Sequence, residues 1–391
     1  MMHCTRFSIA DYPENSVCVK AAVRDENMAA RVRNREHRRR CRWRGGGKRM
    51  ETEKRIRHEA LVDAIRQVLA REGVTDSIGR IEADLMAEAD LLGVPSHGVR
   101  MLPGLVKAIR DGRCKANPQL VVTREHGATC VLDCDNGTGR YTAVQAMSHA
   151  VERAGKFGAG VCLALHTTHW GRAHAYACRA AQAGMIGLCT TNAIPNMLAW
   201  GSTRPLLGNN PLAIAAPRGP GRAPVVLDMA MSQAAVGKIG TYLREGKPVP
   251  PGWGLDASGR PTSDAAAILE SGKLLPFGDH KGAGLALMME LLTGALAGGL
   301  LSPEIVQHDS SGLDPNATKL FLALDVGAFV DRERFAQRVE DLISLIQAIE
   351  PGLEISLPGG RGWQTRDRYL IEGIPIHADI AASLRTIGFP L

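Results

Sequence analysis

The chain has 391 residues, 45% of them hydrophobic, enough for one large or two ordinary domains with their own cores. Its formal charge of +7 sits at one end: residues 1–50 hold thirteen Lys/Arg against five Asp/Glu, which leaves the remaining 341 residues at −1. A near-neutral body excludes a nucleic-acid function read from overall basicity, no apolar run reaches the roughly 18 residues that a membrane helix needs, and nine cysteines without a Cys-x-x-Cys pair point to reduced thiols in the cytoplasm.

Residues 1–49 have no helical or strand periodicity, are dense in arginine and end in Gly45-Gly46-Gly47. They read as a disordered basic extension, with Met50 or a close neighbour as the natural start, and carry no apolar segment fit for secretion. Regular structure is expected from Lys54, where Ile56, Ala60, Leu61, Ala64, Ile65, Val68 and Leu69 recur at helical spacing up to Gly73. Asp76 or Ser77 caps a second helix with Ile81, Leu85, Ala89 and Leu92 on one face, and Met101 to Arg110 forms a third. Leu120–Thr123 and Thr129–Asp133 read as strands, and Ala143 to Lys156 as a helix. Strand Gly160–Leu165, helix Ala173–Ala183 and strand Ile186–Thr191 follow, so the central region is α/β. Pro211–Pro217 and Pro224–Asp228 are further strands, Ser232–Glu245 a helix, and 246–263 a Gly/Pro-rich loop. His280 to Ala297 is an apolar helix expected to be buried. Lys319–Ala328 reads as strand, Arg332–Ile349 as helix, and a last helix lies near Ala378–Thr386.

Chemistry concentrates in a few stretches. Gly93 ends the second helix and Pro95 keeps it from restarting, which leaves Ser96-His97-Gly98 and Arg100 on a short exposed turn. An imidazole moves a proton near neutral pH and a guanidinium grips a carboxylate with two parallel hydrogen bonds, so this turn suits a small 2-oxo or 2-hydroxy acid. His166-Thr167-Thr168-His169-Trp170-Gly171 follows a strand, where α/β sheets place ligands. A zinc site on His166 and His169 lacks a visible third ligand, and a His pair capping a helix is equally consistent. Thr191-Asn192 and Leu207-Gly208-Asn209-Asn210-Pro211 suit either a ligand edge or ordinary turns. Asp228 either orients an imidazole or caps a helix. Lys281, between His280 and Gly282 at a helix start, is unfavourable against the dipole unless an anion offsets it. The glycine fingerprint of dinucleotide-binding folds is missing. Gly252-Trp253-Gly254-Leu255-Asp256-Ala257 matches it as a string but follows prolines rather than a strand.

In order, Gly93-Val94-Pro95-Ser96-His97-Gly98-Val99-Arg100, His169-Trp170-Gly171, Thr191-Asn192-Ala193, Leu207-Gly208-Asn209-Asn210-Pro211-Leu212-Ala213, Leu227-Asp228-Met229-Ala230 and Gly278-Asp279-His280-Lys281-Gly282-Ala283-Gly284 resemble the second-type, non-Rossmann malate/L-lactate dehydrogenase family over residues 54–390. The resemblance implies an α/β fold with a mixed-sheet cofactor domain, and helical N- and C-terminal segments packed together. It implies NAD or NADP as cofactor, a small carboxylate substrate and a homodimer. The implied domains are 50–135 with 300–391, helical and substrate-side, and 136–299, α/β and NAD(P)-binding. It also implies that His97 is the acid/base with Ser96 and Asp228 as its relay, that Arg100 clamps the substrate carboxylate, and that His169 is either near the nicotinamide or the base itself. Trp170, Gly171, Thr191, Asn192, Asp228, Met229, Ala230, His280, Lys281 and Gly282 would line the cofactor site with His169. The implied reaction is hydride transfer on a malate- or lactate-like acid; a cyclic imino acid or diketo sugar acid is the alternative within the family, and nucleic-acid binding through the basic arm the alternative outside it. Residues 1–49 have no counterpart in the family pattern, and Ala199 stands where proline is common.

Overall fold

The structure, a computed structural model, describes residues 54–305, 316–350, 352–353 and 355–390. The arginine-rich extension 1–49 lies outside the described residues. Where the sequence reads a helix from Lys54, the chain first forms a strand, β1 (Lys54–Ile56), and helix α1 (His58–Arg71) follows. The cause is a tertiary partner that local periodicity cannot see: β1 pairs antiparallel with a strand near the other end of the chain, Lys54 opposite Ile376. The expected apolar stripe of α1 is buried, with Leu61, Ile65, Val68 and Leu69 against α2 (Asp76–Leu91). Two single-turn segments, Pro95–His97 and Val99–Met101, lead into α3 (Leu102–Arg110).

The middle of the chain supplies β2 (Val121–His126), β3 (Thr129–Gly137), α4 (Gly139–Phe157), β4 (Ala159–Thr167), α5 (His174–Gln182) and β5 (Met185–Thr191). Then come the short pair β6 (Met197–Leu198) and β7 (Pro205–Leu207), β8 (Leu212–Ala216), β9 (Val225–Met229) and α6 (Val236–Arg244). The rest comprises α7 (Ala265–Ser271), α8 (His280–Glu290), β10 (Ala317–Asp325), α9 (Arg332–Ala348), α10 (Gly360–Glu372), β11 (Ile374–Ile376) and α11 (Ala378–Arg385).

Seven strands form one mixed sheet in the order β2-β3-β4-β10-β5-β8-β9. Only β3 and β4 run parallel; β10 arrives late in the chain and inserts antiparallel between β4 and β5. The sheet thus takes strands from 121–137 and 317–325, on either side of the 136–299 segment to which the sequence assigns the α/β region. Helices α4 and α5 lie close on one face because the facing residues are small. Gly160 sits where a Cβ would overlap the Ala150 carbonyl, and the helices present Ala146, Ala150, Ala154, Ala177 and Ala180. A second core joins α1, α2 and α3 to β11 and α11, so the chain's helical ends do pack together. A third, smaller core surrounds Met231, Ile239, Trp253 and Ile268.

Two helices escape the periodicity reading. Helix α10 buries no residue completely; it packs against the cores through Trp363 and Tyr369, six residues apart and off the i, i+3, i+4 spacing that marks a helix. Helix α7 is only seven residues long, capped by Asp264, whose carboxylate accepts the Ala266 N–H at 2.9 Å. One expectation is corrected: the apolar helix from His280 is not buried. Only Gly282, Ala283, Ala286, Met289 and Glu290 of α8 are covered, and Leu285, Leu287, Met288, Leu291 and Leu296 are exposed.

Candidate active site

The turn after α2 is shaped by a buried acid. Asp90, in the last turn of α2, accepts the Val99 N–H at 2.6 Å, and Gly98 lies so close that a Cβ there would overlap the Asp90 carboxylate. Glycine is therefore required at 98 for contact, not for backbone angle. Burial raises the Asp90 carboxyl to about 7, against the opposing pull of the Val99 N–H and the Arg140 charge. Helix α6 closes on the turn through Gly237, whose Cβ would come within 2.7 Å of Ser96 Cβ.

Two histidines meet at this turn. Ser96 Oγ is 2.9 Å from His97 Nδ1, and the His97 ring stacks on His169 with centroids 5.8 Å apart and planes 25° off parallel. His169 Nδ1 accepts the Gly171 N–H at 3.1 Å, so its neutral ring carries the proton on Nε2. Gly171 has φ +76°, and a Cβ there would sit 3.0 Å from Arg140 Nε. Arg140, buried at the start of α4, donates to the His97 carbonyl at 3.0 Å and faces the buried Glu82 carboxylate at 3.4 Å. Desolvation, then the charges of Arg172, Arg140 and Arg100, depress His97 to about 4. His169 is driven well below the ordinary imidazole range by burial, then by His97, Arg140 and Lys319. Both rings are neutral at pH 7.

Asp228, expected to relay to His97, is engaged elsewhere: its carboxylate accepts from Arg172 Nε at 3.2 Å. The residue bonded to His97 Nδ1 is Ser96. Arg172 Nη1 is buried without a hydrogen-bond partner. Other atoms of Arg172 border a cavity of about 480 Å³, lined also by Asp228, His174, Val226, Leu227, Ser356, Arg361 and Thr365. Arg100 faces a different cavity, of about 280 Å³, shared with Asp90, Ser96, Thr241, Arg244, Tyr369 and His377.

The remaining expected residues divide. The Trp170 indole is core, stacked on Tyr176 at 5.1 Å and edge-on to Phe321, so it offers no side chain to a ligand. Thr191 and Asn192 are spent on the fold: Thr191 Oγ donates to the Thr318 carbonyl at 3.1 Å, and the Asn192 amide bonds Leu300, Thr318 and Glu290. Buried Glu290 also accepts from Asn210 and Ser302, which gives the Leu207–Pro211 stretch a structural role. Met229 and Ala230 lead to Met231, whose carbonyl accepts the Phe277 N–H at 2.9 Å. That bond joins them to the start of α8, where His280 and Lys281 are exposed, Gly282 is buried and Trp200 meets His280. His166 turns away from His169 to Asp133 at 3.0 Å, and among the described residues no group of three or more His, Cys, Asp or Glu could hold a metal ion.

Sequence reasoning missed Asp90, Glu82, Arg140 and Arg172. Two signals were present. Arg140 opens a helix, where a cation opposes the dipole unless a carboxylate offsets it, and Arg172 directly follows His169-Trp170-Gly171.

Residues 56–385 match the malate/L-lactate dehydrogenase family. The chain is 34% identical over 344 residues to the malate dehydrogenase of Pyrococcus horikoshii, covering 85% of this chain and 94% of that one. Its fold is similar to the solved sulfolactate dehydrogenase from Methanocaldococcus jannaschii, with a TM-score of 0.79 at 33% identity over 85% of this chain and 96% of the other. It is also similar to the Δ1-piperideine-2-carboxylate reductase from Pseudomonas syringae pvar. tomato, with a TM-score of 0.78 at 30% identity over 85% and 99%.

Proposed function

This chain belongs to the malate/L-lactate dehydrogenase family and is an NAD(P)-dependent oxidoreductase of hydroxy and oxo acids, and from that premise we propose that His97 carries the proton while C2 of a small 2-hydroxy acid gives up its hydride. The observation that supports this most is the asymmetry of the stacked pair. Gly171 occupies His169 Nδ1, so neutral His169 holds a proton on Nε2 and acts as a donor. His97 has Ser96 on Nδ1, and its Nε2 makes no hydrogen bond among the described residues. With Nδ1–H given to Ser96 Oγ, the Nε2 lone pair is free to take the hydroxyl proton. Burial, together with the surrounding arginines, keeps that lone pair unprotonated at neutral pH. His169 then donates to the same oxygen as it becomes a carbonyl, and Arg100 grips the C1 carboxylate.

NAD(P)⁺, when bound, accepts the hydride. The cavity beside Arg172 fits such a nucleotide by its lining: the Arg172 and Arg361 side chains for phosphates, Asp228, Ser356 and Thr365 for hydroxyls, and Val226 and Leu227 as an apolar wall. We assign the enzyme to the cytoplasm as a homodimer. The exposed Leu287, Met288 and Leu291 supply an apolar face of the kind that a second subunit covers, and the six described cysteines are free thiols.

His97→Ala tests the assignment. Turnover is expected to vanish while NAD(P)H still binds by fluorescence titration; near-normal turnover in this variant sinks the role of His97.

A further inference from the structure

Four segments of the chain meet at one side chain. Arg140 is the second residue of α4, and it is buried. Its Nη2 donates to the His97 carbonyl at 3.0 Å, and its Nη1 faces the Glu82 carboxylate of α2 at 3.4 Å. The third nitrogen, Nε, makes no hydrogen bond among the described residues and lies against Gly171, where a Cβ would come within 3.0 Å of it. Gly171 is the residue whose N–H occupies His169 Nδ1. The guanidinium is therefore held between the backbone of the His97 turn and the backbone that fixes His169. The start of α4 is seated on the same two neighbours. A Cβ at Gly139 would overlap the His169 carbonyl, and Glu82 accepts the Tyr141 N–H at 2.8 Å.

Stability alone does not call for an arginine here. Burying an ion pair costs desolvation that its own attraction barely offsets, and a cation in the first turn of a helix also opposes the dipole. An apolar side chain could fill the space, but it could not bond the His97 carbonyl and face Glu82 while packing flat on Gly171. A planar fork does all three at once, which an ammonium does not.

We infer that Arg140 is a positioning residue for the histidine pair: it ties the turn carrying His97 to the loop carrying His169, so that the two rings are set face to face before a substrate enters. The inference rests on the assignment of the proton step to these histidines and deepens it. The charge of Arg140 has a second effect. The charged groups around the pair are Arg100 on the turn, Asp90 beneath it, Arg140 with Glu82, Arg172 with Asp228, and Lys319 from β10. After burial, Arg140 joins Arg172 and Arg100 in depressing His97, and joins His97 and Lys319 in depressing His169.

Arg140→Lys and Arg140→Met separate the tie from the charge. Both are compared with wild type by NMR of the enzyme labelled at histidine Cε1, with the two signals assigned from His97→Gln and His169→Gln. Turnover of L-malate or L-lactate is counted per folded site by NAD(P)H titration. Arg140→Lys keeps the charge and breaks the tie. Both ring signals should lose the shift that stacked rings impose on each other, and kcat should fall about 10- to 100-fold with KM little changed. The His97 midpoint should stay near 4. Arg140→Met should displace the signals likewise and raise that midpoint by about one pH unit. A fold merely loosened enough to wet the rings lifts the midpoint equally in both variants, and that result overturns the proposal. Ring signals that stay at their wild-type positions in Arg140→Lys overturn it too. If Arg140→Met does not fold, Arg140→Lys, which still offers Glu82 a cation, decides by its ring signals. Displaced signals with an unchanged kcat leave the tie standing and overturn the assignment of the proton step to this pair.

Discussion

At the scale of single residues, the fold keeps two imidazoles neutral in a buried, cationic surround. Burial, and then the charges of Arg172, Arg140 and Arg100, push His97 down to about 4, so it is neutral at pH 7 and suits the proposed role of base. The consequence is a pH profile. An ordinary imidazole loses its lone pair near 6.5, but here kcat/KM for alcohol oxidation should stay level down to about pH 5 and bend near 4. A limb at 6.5 in that profile contradicts the environment described. The same shift feeds into stability. Histidines whose folded values are depressed, His97 to about 4 and His174 to about 3, contribute stability that is present above 6.5 and is lost as pH falls toward those values. The histidine, serine and arginine of the turn were legible because they stand within five residues of one another. Arg140 and Arg172 were not, because nothing local tells an arginine that it will be buried beside an imidazole 43 residues away, as Arg140 is beside the His97 carbonyl.

At the scale of elements, Asp90 holds the junction between α2 and α3, to which the proposed chemistry is assigned, in shape. Its folded value of about 7 lies above the unfolded 3.8, so the native protein holds a proton that the unfolded chain releases between those limits. The stability Asp90 contributes is full below 3.8 and is lost as pH rises through about 7. Asp90→Asn keeps an acceptor for the Val99 N–H but removes the charge. It should therefore raise stability at pH 8 by an amount on the order of a few kcal/mol, seen as a higher melting temperature, and change it little at pH 4. Equal shifts at both pH values would show that the carboxyl is not titrating in place. Elements with apolar stripes, such as α1, α2 and α5, follow from the sequence at nearly the observed bounds. Elements that depend on distant partners, β1 on β11 and α10 on the cores that Trp363 and Tyr369 reach, do not.

For the whole molecule, the unusual feature is the late strand β10, which completes the centre of the sheet between β4 and β5 and brings a buried Lys319 against Thr168 and Trp170. The second feature is the apolar surface of α8 and the turns after it, where Leu291 is 47% exposed. If that face is the dimer contact, Leu291→Lys should shift the protein to monomer in sedimentation or light scattering, by placing a charge in a desolvated patch. A dimer unaffected by this change would place the contact elsewhere. The sequence by itself determined the α/β class, the helical ends, the Ser96-His97 turn and the family, because hydrophobic periodicity and closely spaced motifs are local properties. Only the tertiary structure decided that Asp228 serves Arg172 rather than His97, that Thr191, Asn192 and Trp170 belong to the framework, and that His169 is a donor. Those outcomes depend on which polar groups from distant segments are enclosed together and which hydrogen-bond partner each one finds there, and a linear pattern of residues does not encode that.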